Sequence, residues 1–215
     1  MRAGSGPTSK EKRKTVSPRG FSEEEQAHIR SRLIAIGREL FGRHGIRKVT
    51  VDELARRAGI AKGSFYRFFS NKEHLCLAVL KDIEQEIRAL SRLEPPPGQT
   101  LRDVVRGLLR EQQSVFAKYP ILERLSDPSE LASLVRHLPS GALEEHLEAG
   151  DRFLEALARR WAEIGVGVGR DPVAVAGLLK ILNVLPLQKH LVGPSFESAH
   201  ELLLELVADG LVPED

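Results

Sequence analysis

Residues 50–77 constrain the fold more than any other part of the chain, and they read TVDELARRAGIAKGSFYRFFSNKEHLCL. Thr50 followed by Glu53 is a capping-box pattern, which predicts that a helix begins at Thr50. Apolar residues then recur at helical spacing until Gly59, which can adopt the left-handed backbone conformation that a tight turn between two helices needs. The segment therefore predicts two short helices joined by a glycine turn.

The second of these helices begins near Ala61 or Lys62 and has two chemically different faces. At about 100° per residue, one arc of the helix carries only phenylalanines, which are Phe65, Phe68 and Phe69. The opposite arc carries small, polar and basic residues. A helix of this kind packs one face on a protein core and leaves the other face free. Ser70 and Glu73 repeat the capping-box pattern, which predicts that a third helix opens there.

This pattern predicts a helix-turn-helix motif, whose second helix lies in the major groove of DNA. Basic side chains on its free face can donate hydrogen bonds to guanine, and a serine suits several base edges. Tyrosine, lysine and threonine suit phosphate oxygens, and a glycine removes a side chain where the helix approaches the DNA closely. Taken alone, each of these residues would also fit an ordinary solvated helix surface. The predicted DNA-binding residues are Thr50, Lys62, Gly63, Ser64, Tyr66, Arg67 and Lys72.

Residues 29–79 closely resemble the DNA-binding region of the TetR family of bacterial transcriptional regulators. The features that carry this resemblance are Gly45, Thr50, Leu54, Ala55, Ala58, Gly59, Gly63, Tyr66, Phe69, Asn71, Lys72, Glu73 and Leu75. One departure is Ala61, where the family often has serine or threonine. Alanine is a poor helix N-cap, which costs about 1 kcal/mol. It also lacks the hydroxyl that could contact a phosphate, so no DNA contact is assigned to this position. Arg67 stands where the family varies, and the resemblance therefore does not specify the operator sequence.

The charge of the chain is divided unevenly along its length. Residues 1–80 contain 17 lysines and arginines against 8 acidic residues, whereas the remaining 135 residues contain 15 against 22. A basic amino-terminal third joined to an acidic remainder fits a nucleic-acid-binding head on a body that avoids DNA.

The single cysteine fits a reducing cytoplasm. The longest apolar stretch, residues 173–187, is interrupted by polar residues, so no membrane partner is expected.

The sequence predicts an all-α fold in three parts. Residues 1–20 form a flexible basic tail, which is either a solubilising extension or an arm that reaches the DNA. Residues 21–69 form a three-helix DNA-binding domain, and residues 70–215 form a helical body for ligand binding and dimerisation. A long helix that starts at Ser70 joins the two.

Capping residues, prolines and glycines set the other predicted helix boundaries. Ser22 and Glu25 open the first helix and Gly45 stops it, whereas Asp171 caps a helix that kinks at Pro186. The linking helix should end near residue 93. The other predicted helices span residues 101–119, 121–125, 129–138, 142–164, 171–190 and 195–209.

The last two long helices are apolar over so wide an arc that they must be buried on two sides. Burial within one subunit is one explanation, and pairing with a second copy is the other. The resemblance implies the second, a four-helix interface in a homodimer that reads a palindromic operator. The candidate interface residues are Leu178, Leu182, Leu185, Leu203, Leu206 and Val207.

The resemblance also implies a cavity in the body, whose ligand moves the linking helix and spreads the two heads. The polar and aromatic residues that could line it, set among leucines and valines, are Tyr119, Arg136, His137, His146 and Trp161. Each of these has an ordinary structural interpretation as well, because a tryptophan is more often in a core than in a pocket. A small apolar molecule is the expected effector.

Other patterns in the chain do not indicate an enzyme. The run GVGVGR lacks the preceding strand and the spacing of a phosphate loop, and we interpret it as a plain loop. Glu197 and His200 match half of a di-iron motif, without a second copy. We therefore expect no cofactor, no metal and no catalytic residue. The predicted function is a homodimeric cytoplasmic repressor released from DNA by a small molecule. The alternative is a ligand-insensitive DNA-binding protein whose body recruits another protein.

Overall fold

The computed structural model describes residues 21–90 and 98–212, and over these ranges the protein consists of helices and turns without a β-strand. The predicted tail, the end of the linking helix near residue 93 and the last three residues lie outside this part. The helices are α1 (Glu23–His44), α2 (Val51–Arg57), α3 (Lys62–Phe65), α4 (Lys72–Leu90), α5 (Leu101–Lys118), α6 (Pro120–Arg124), α7 (Pro128–His137), α8 (Ala142–Glu163), α9 (Pro172–Val184), α10 (Lys189–Val192) and α11 (Phe196–Leu211).

The start of α1 shows both hydrogen bonds of the predicted capping box. Ser22 Oγ accepts from the backbone N–H of Glu25 at 3.2 Å, and the carboxylate of Glu25 accepts from the N–H of Ser22 at 2.8 Å. Gly45 ends the helix with φ of 77°. Gly59 has φ of 68°, so the turn between α2 and α3 uses the left-handed conformation that the sequence predicted.

The predicted capping box at Ser70 is wrong. The side chain of Asn71, not Ser70, accepts a hydrogen bond from the backbone N–H of His74 at 2.7 Å, so Asn71 caps α4. The Ser70 hydroxyl pairs instead with the ring of His74. Glu73 is buried rather than folded back over the helix start. Asparagine caps helices as well as serine does, and the side chain of Asn71 also binds the end of α7.

One hydrophobic core runs from the head into the body. Leu33, Phe41 and Leu54 of the head pack with α4, and the same cluster continues through α6 and α7. Its members beyond the head include Leu75, Cys76, Val79, Ile83, Tyr119, Ile121, Leu134 and Leu138. The core therefore crosses the predicted boundary between residues 69 and 70.

A second core lies between α5, α8, α9 and α11. Its buried members include Val105, Leu109, Trp161, Leu179 and Leu204. Ion pairs bridge the same helices at the surface: Lys180 Nζ lies 2.6 Å from Asp151 of α8, and Arg110 pairs with Glu201 of α11. These contacts make α5, α8, α9 and α11 a helical bundle with a hydrophobic core of its own.

The predicted helix 171–190 is shorter than expected. It ends at Val184 and is followed by a 3-10 turn (Leu185–Gln188), because Pro186 has no N–H to donate and its ring obstructs the preceding turn. The whole stretch Pro172–Leu211 is long and apolar enough to cross a membrane by length and composition alone. The breaks at Pro186 and Gly193 divide it into separate elements, and its inward side forms part of the second core.

Candidate nucleic-acid interface

The short helix α3 and the turns after it divide into the two faces that the sequence predicted. Phe65 and Phe69 are buried in the first core, with ring centroids 6.0 Å apart, and Phe68 is half-buried against it. Ala61 precedes α3 and makes no side-chain capping bond. The helix is therefore held by its phenylalanine side rather than by a cap.

The opposite face of α3 is open to solvent. Lys62, Gly63 and Arg67 are exposed, and the side chain of Tyr66 is 51% exposed, with its ring edge-on to Phe65. Ser64 is half-buried. A Cβ atom added at Gly63 would meet no atom of the chain within 4 Å. The protein's own packing thus gives no reason for a glycine at this position.

The two cations on this face have partners within the chain. Lys62 Nζ lies 2.7 Å from Asp52 of α2, and both side chains are more than half exposed. The hydrogen bond from Lys62 to Asp52 raises the pKa of the lysine above its usual range. The guanidinium of Arg67 lies 5.2 Å from the centre of the Phe21 ring, in a cation–π contact. Both cations remain accessible and are oriented by these contacts.

Lys72 and Thr50 have structural tasks in the head. Thr50 Oγ1 accepts from the N–H of Glu53 at 3.2 Å, as the predicted N-cap does, while its hydroxyl proton is left over. Lys72 Nζ donates to the backbone carbonyls of Arg47 and Val49, at 3.1 and 2.8 Å. Two of the three ammonium donors of Lys72 therefore stabilise the loop before α2, and one remains.

Side chains from α6 and α7 also bind the loop before α2, and the sequence pattern did not predict them. Glu130 of α7 accepts from the backbone N–H of Ile46, 84 residues away in the chain. Arg124 of α6 donates to the carbonyls of Gly42 and Arg43, at 3.3 and 3.1 Å. No local pattern signals such pairs, because their members are adjacent only in the folded chain.

The five residues predicted for a ligand pocket do not come together. Tyr119 is buried in the first core and donates its hydroxyl proton to Glu86, whereas Trp161 is buried in the second core. His146 is half-buried, with Nδ1 3.4 Å from Glu84. Arg136 and His137 are exposed on α7. A common cavity lined by these side chains is therefore not what the described part of the chain forms.

The structure has an open cleft of about 560 Å³ elsewhere, between α1, α4 and the start of α8. None of the five predicted residues lines it. Its walls include the inner side of the segment after α3 and cationic residues of α1 and α4. Representative lining residues are Arg30, Ile34, Phe68, Leu77, Lys81 and Ala142.

The candidate interface residues on α9 and α11 differ in where they lie. Leu182 and Val207 are buried in the second core, so their side chains pack within one subunit. Leu178, Leu185 and Leu203 are half-buried, and Leu206 is 61% exposed. The large apolar residues that these two helices expose are Val173, Ile181, Val184, Leu202 and Leu206.

The motifs that suggested other chemistry have structural roles. The glycine-rich run forms the loop between α8 and α9, with positive φ at Gly165, Gly167 and Gly169. His200 is buried and its ring stacks on Phe196 at 5.1 Å. Within residues 21–90 and 98–212, no group of three or more His, Cys, Asp or Glu side chains is placed to hold a metal ion.

Comparison with known proteins identifies the head. Residues 33–79 match the family model described as bacterial regulatory proteins, tetR family. The chain is 27% identical over 184 residues to the HTH-type transcriptional repressor KstR2 of Rhodococcus jostii, a match that covers 73% of this chain and 90% of that protein. It is 26% identical over 108 residues to the nucleoid occlusion factor SlmA of Actinobacillus pleuropneumoniae, which covers 50% of this chain and 52% of that protein.

Solved structures share the whole fold. A TetR-family transcriptional regulator from Pectobacterium atrosepticum superposes with a TM-score of 0.58 at 19% identity, covering 90% of this chain and 99% of that one. NalD of Pseudomonas aeruginosa, the secondary repressor of a multidrug efflux pump, gives a TM-score of 0.57 at 22% identity and covers 90% of this chain and 100% of that one. At these identities the likeness shows a common fold.

Proposed function

We infer from the chain's membership of the TetR family of bacterial regulatory proteins that this DNA-binding transcriptional regulator is a homodimeric repressor, which a small-molecule effector releases from a palindromic operator. The observation that carries the DNA-binding part is the free face of α3. It is polar and cationic, it is backed by buried phenylalanines, and it contains a glycine that the fold itself does not need.

The roles of the individual residues follow from their exposure and remaining donors. Arg67 and Lys62 offer donors to base edges in the major groove, where guanine accepts two hydrogen bonds. Tyr66 and Thr50 donate hydroxyl protons to phosphates. Lys72 contributes its one remaining donor to a phosphate. Ser64 supplies a polar contact through its short side chain. Gly63 lets the backbone of α3 approach the DNA.

The exposed apolar residues of α9 and α11 support a homodimer. Ile181 and Leu206 point away from the second core and are 57% and 61% exposed. Small residues lie on the same solvent-exposed sides of these helices, including Gly177 and Gly210, which permit close approach of another helix. A two-fold dimer through these helices presents two α3 helices to successive half-sites of a palindrome, one DNA turn or a multiple apart.

Repression is supported by the names of two similar proteins, whereas effector release is proposed from the resemblance to TetR-family regulators. KstR2 and NalD are both named as repressors. Moving a regulator from 99% to 1% DNA-competent requires about 5.5 kcal/mol of differential effector binding between the two states. An effector should therefore abolish operator binding at saturation, and a tightly bound small molecule that leaves operator affinity unchanged would contradict this part of the proposal.

A second candidate is a DNA-binding protein without ligand control, whose body recruits another protein. The observation in its favour is that apolar residues are exposed on helices other than α9 and α11, namely Leu131 and Val135 of α7 and Leu147 of α8. SlmA, one of the relatives, is named as a nucleoid occlusion factor rather than as a repressor. The two candidates are distinguished by whether a small molecule releases the protein from DNA.

The DNA-binding proposal is tested by selecting duplex fragments from a random pool with the purified protein. We expect enrichment of a two-fold symmetric site, with a logarithm of affinity that falls linearly and steeply with the logarithm of salt concentration. Arg67→Ala should relax the sequence preference at one position of each half-site, by about 1–3 kcal/mol of discrimination. Arg160→Ala, which removes an exposed arginine of α8, is the matched control. A pool without enrichment would refute the proposal.

A further inference from the structure

We propose that α7 holds both ends of the helix-turn-helix by hydrogen bonds, an arrangement that we call the clamp. Glu130, at the start of α7, is then a positioning residue for operator binding. The inference rests on the proposed DNA-binding function. It concerns how the reading segment is held, since neither Glu130 nor any other residue of α7 belongs to the face of α3 that is open to DNA.

The first tie joins α7 to the loop before α2. Glu130 is 9% exposed, and its Oε2 atom accepts from the backbone N–H groups of Ile46 and Arg47, at 2.7 and 3.1 Å. Hydrogen bonds to a carboxylate are among the stronger ones in proteins. The N–H of Ile46 is buried together with its acceptor, so losing the carboxylate would leave a buried donor unsatisfied.

Gly45 shows how closely this loop is fitted to the carboxylate. Its φ is 77°, and a Cβ atom at Gly45 would lie 2.6 Å from Glu130 Oε1. Any larger residue would meet both a strained backbone and the side chain of Glu130. The glycine that ends α1 is thus also the residue that admits the clamp.

Other side chains hold the remaining polar groups of the same loop. Arg47 donates to Ser129 Oγ of α7 at 2.9 Å. Arg124 binds the carbonyls at the end of α1, and Lys72 binds the carbonyls just before Thr50. Side chains from α4, α6 and α7 therefore fix the place from which α2 begins.

The second tie joins the other end of α7 to Asn71, which directly follows the reading segment, residues 50–70. Asn71 Nδ2 donates to the backbone carbonyl of His137, the last residue of α7, at 2.9 Å. The same side chain caps α4 through the N–H of His74. Residues 50–70 thus lie between two ties to one body helix of 10 residues, which spans about 15 Å at 1.5 Å per residue.

The two ties connect the body to the head in addition to the continuous helix α4. A displacement of α7 relative to α1 would move the start of α2 and the start of α4 together, and α3 lies between them. The head is therefore positioned by α7 as well as by the continuous linking helix α4.

The test compares Glu130→Ala with Glu130→Gln. One carboxylate oxygen accepts both hydrogen bonds, so the amide oxygen of glutamine can take its place, whereas alanine removes both bonds. At a temperature well below the unfolding midpoint of each variant, we expect Glu130→Ala to lose at least tenfold in operator affinity. Glu130→Gln should stay within about threefold of wild type. Affinity for unrelated duplex should not change, so the specificity ratio falls.

Hydrogen exchange supplies a readout at the clamp itself. The amides of Ile46 and Arg47 should exchange faster in Glu130→Ala and at nearly the wild-type rate in Glu130→Gln. Glu123→Ala is the matched control, because Glu123 is an exposed carboxylate on α6. A folded Glu130→Ala protein that keeps the wild-type specificity ratio would overturn the clamp and leave the proposed function standing. A wild-type protein that binds no duplex would overturn both.

Discussion

Individual side chains in and next to the helix-turn-helix divide into those that hold the head together and those that are exposed on its surface. Lys72, Thr50 and Asn71 bind backbone groups, and Phe65 and Phe69 fill the core. The exposed residues of α3 lie outside the buried cores, so packing in the core does not dictate their identity. Substitutions in the two groups should consequently have different signatures.

Gly63→Ala is expected to separate folding from DNA binding. A methyl group at this position meets no atom of the chain within 4 Å, and alanine is favoured over glycine in a helix by up to about 1 kcal/mol. The free energy of unfolding should therefore stay constant or rise slightly. Operator affinity should fall at least tenfold, because in the proposed complex the added methyl group would stand between α3 and the bases. Urea unfolding and fluorescence anisotropy measure the two effects, and an unchanged affinity would remove Gly63 from the interface.

The amino-acid pattern predicts which residues of α3 are inward, because the phenylalanines differ so strongly in polarity from their neighbours. It does not predict the use of Lys72 or the cap of α4. Both depend on partners that the local pattern does not contain: loop carbonyls for Lys72 and the end of α7 for Asn71. Charged residues near a DNA-binding motif thus need the folded chain before a phosphate contact can be assigned.

At the scale of the elements, Glu86 of α4 is a junction between head and body. It accepts hydrogen bonds from Arg38 of α1 and from the hydroxyl of Tyr119, and it lies 3.4 Å from Lys118 Nζ. The Arg38 guanidinium and the Tyr119 hydroxyl lower the pKa of Glu86 from an ordinary 4.5 to about 2. Three elements therefore meet at one ionised carboxylate.

This junction predicts a pH dependence of stability. Because the folded-state pKa is depressed, the contribution of Glu86 is fully present above pH 4.5 and is lost as the pH falls from there towards 2. The difference in unfolding free energy between wild type and Glu86→Gln should be constant from pH 7 to 5 and shrink in acid. Urea titrations at several pH values measure it. Glu163→Gln, at an exposed position of α8, should show no comparable trend.

Most helix boundaries are predictable because capping residues, prolines and glycines act on their own chain neighbours. Ser22, Asp127 and Asp171 each accept from an N–H within three residues. The rotational phase of α9 and α11 is not predictable in the same way. Leucines cover so wide an arc that the pattern alone cannot distinguish Leu182, which faces the core, from Ile181, which faces solvent.

For the molecule as a whole, the exposed sides of α9 and α11 predict the oligomeric state. Ile181→Glu combined with Leu206→Glu places charges on residues that are more than half exposed in one subunit, so the fold should tolerate them. In a dimer interface these charges would be buried without partners. We expect a monomer by sedimentation, with operator affinity reduced at least a hundredfold because only one half-site is held. Leu147→Glu on α8 should remain dimeric. A double variant that stays dimeric would place the interface elsewhere.

The first hydrophobic core belongs to both halves of the chain, since Tyr119, Ile121 and Leu134 pack in the same cluster as the head residues Leu33 and Phe41. A fragment cut after the reading segment would lose much of the apolar surface on which it is built. Chimeric regulators that exchange reading heads between relatives would therefore retain a matched packing surface only if α4, α6 and α7 were transplanted together with the head.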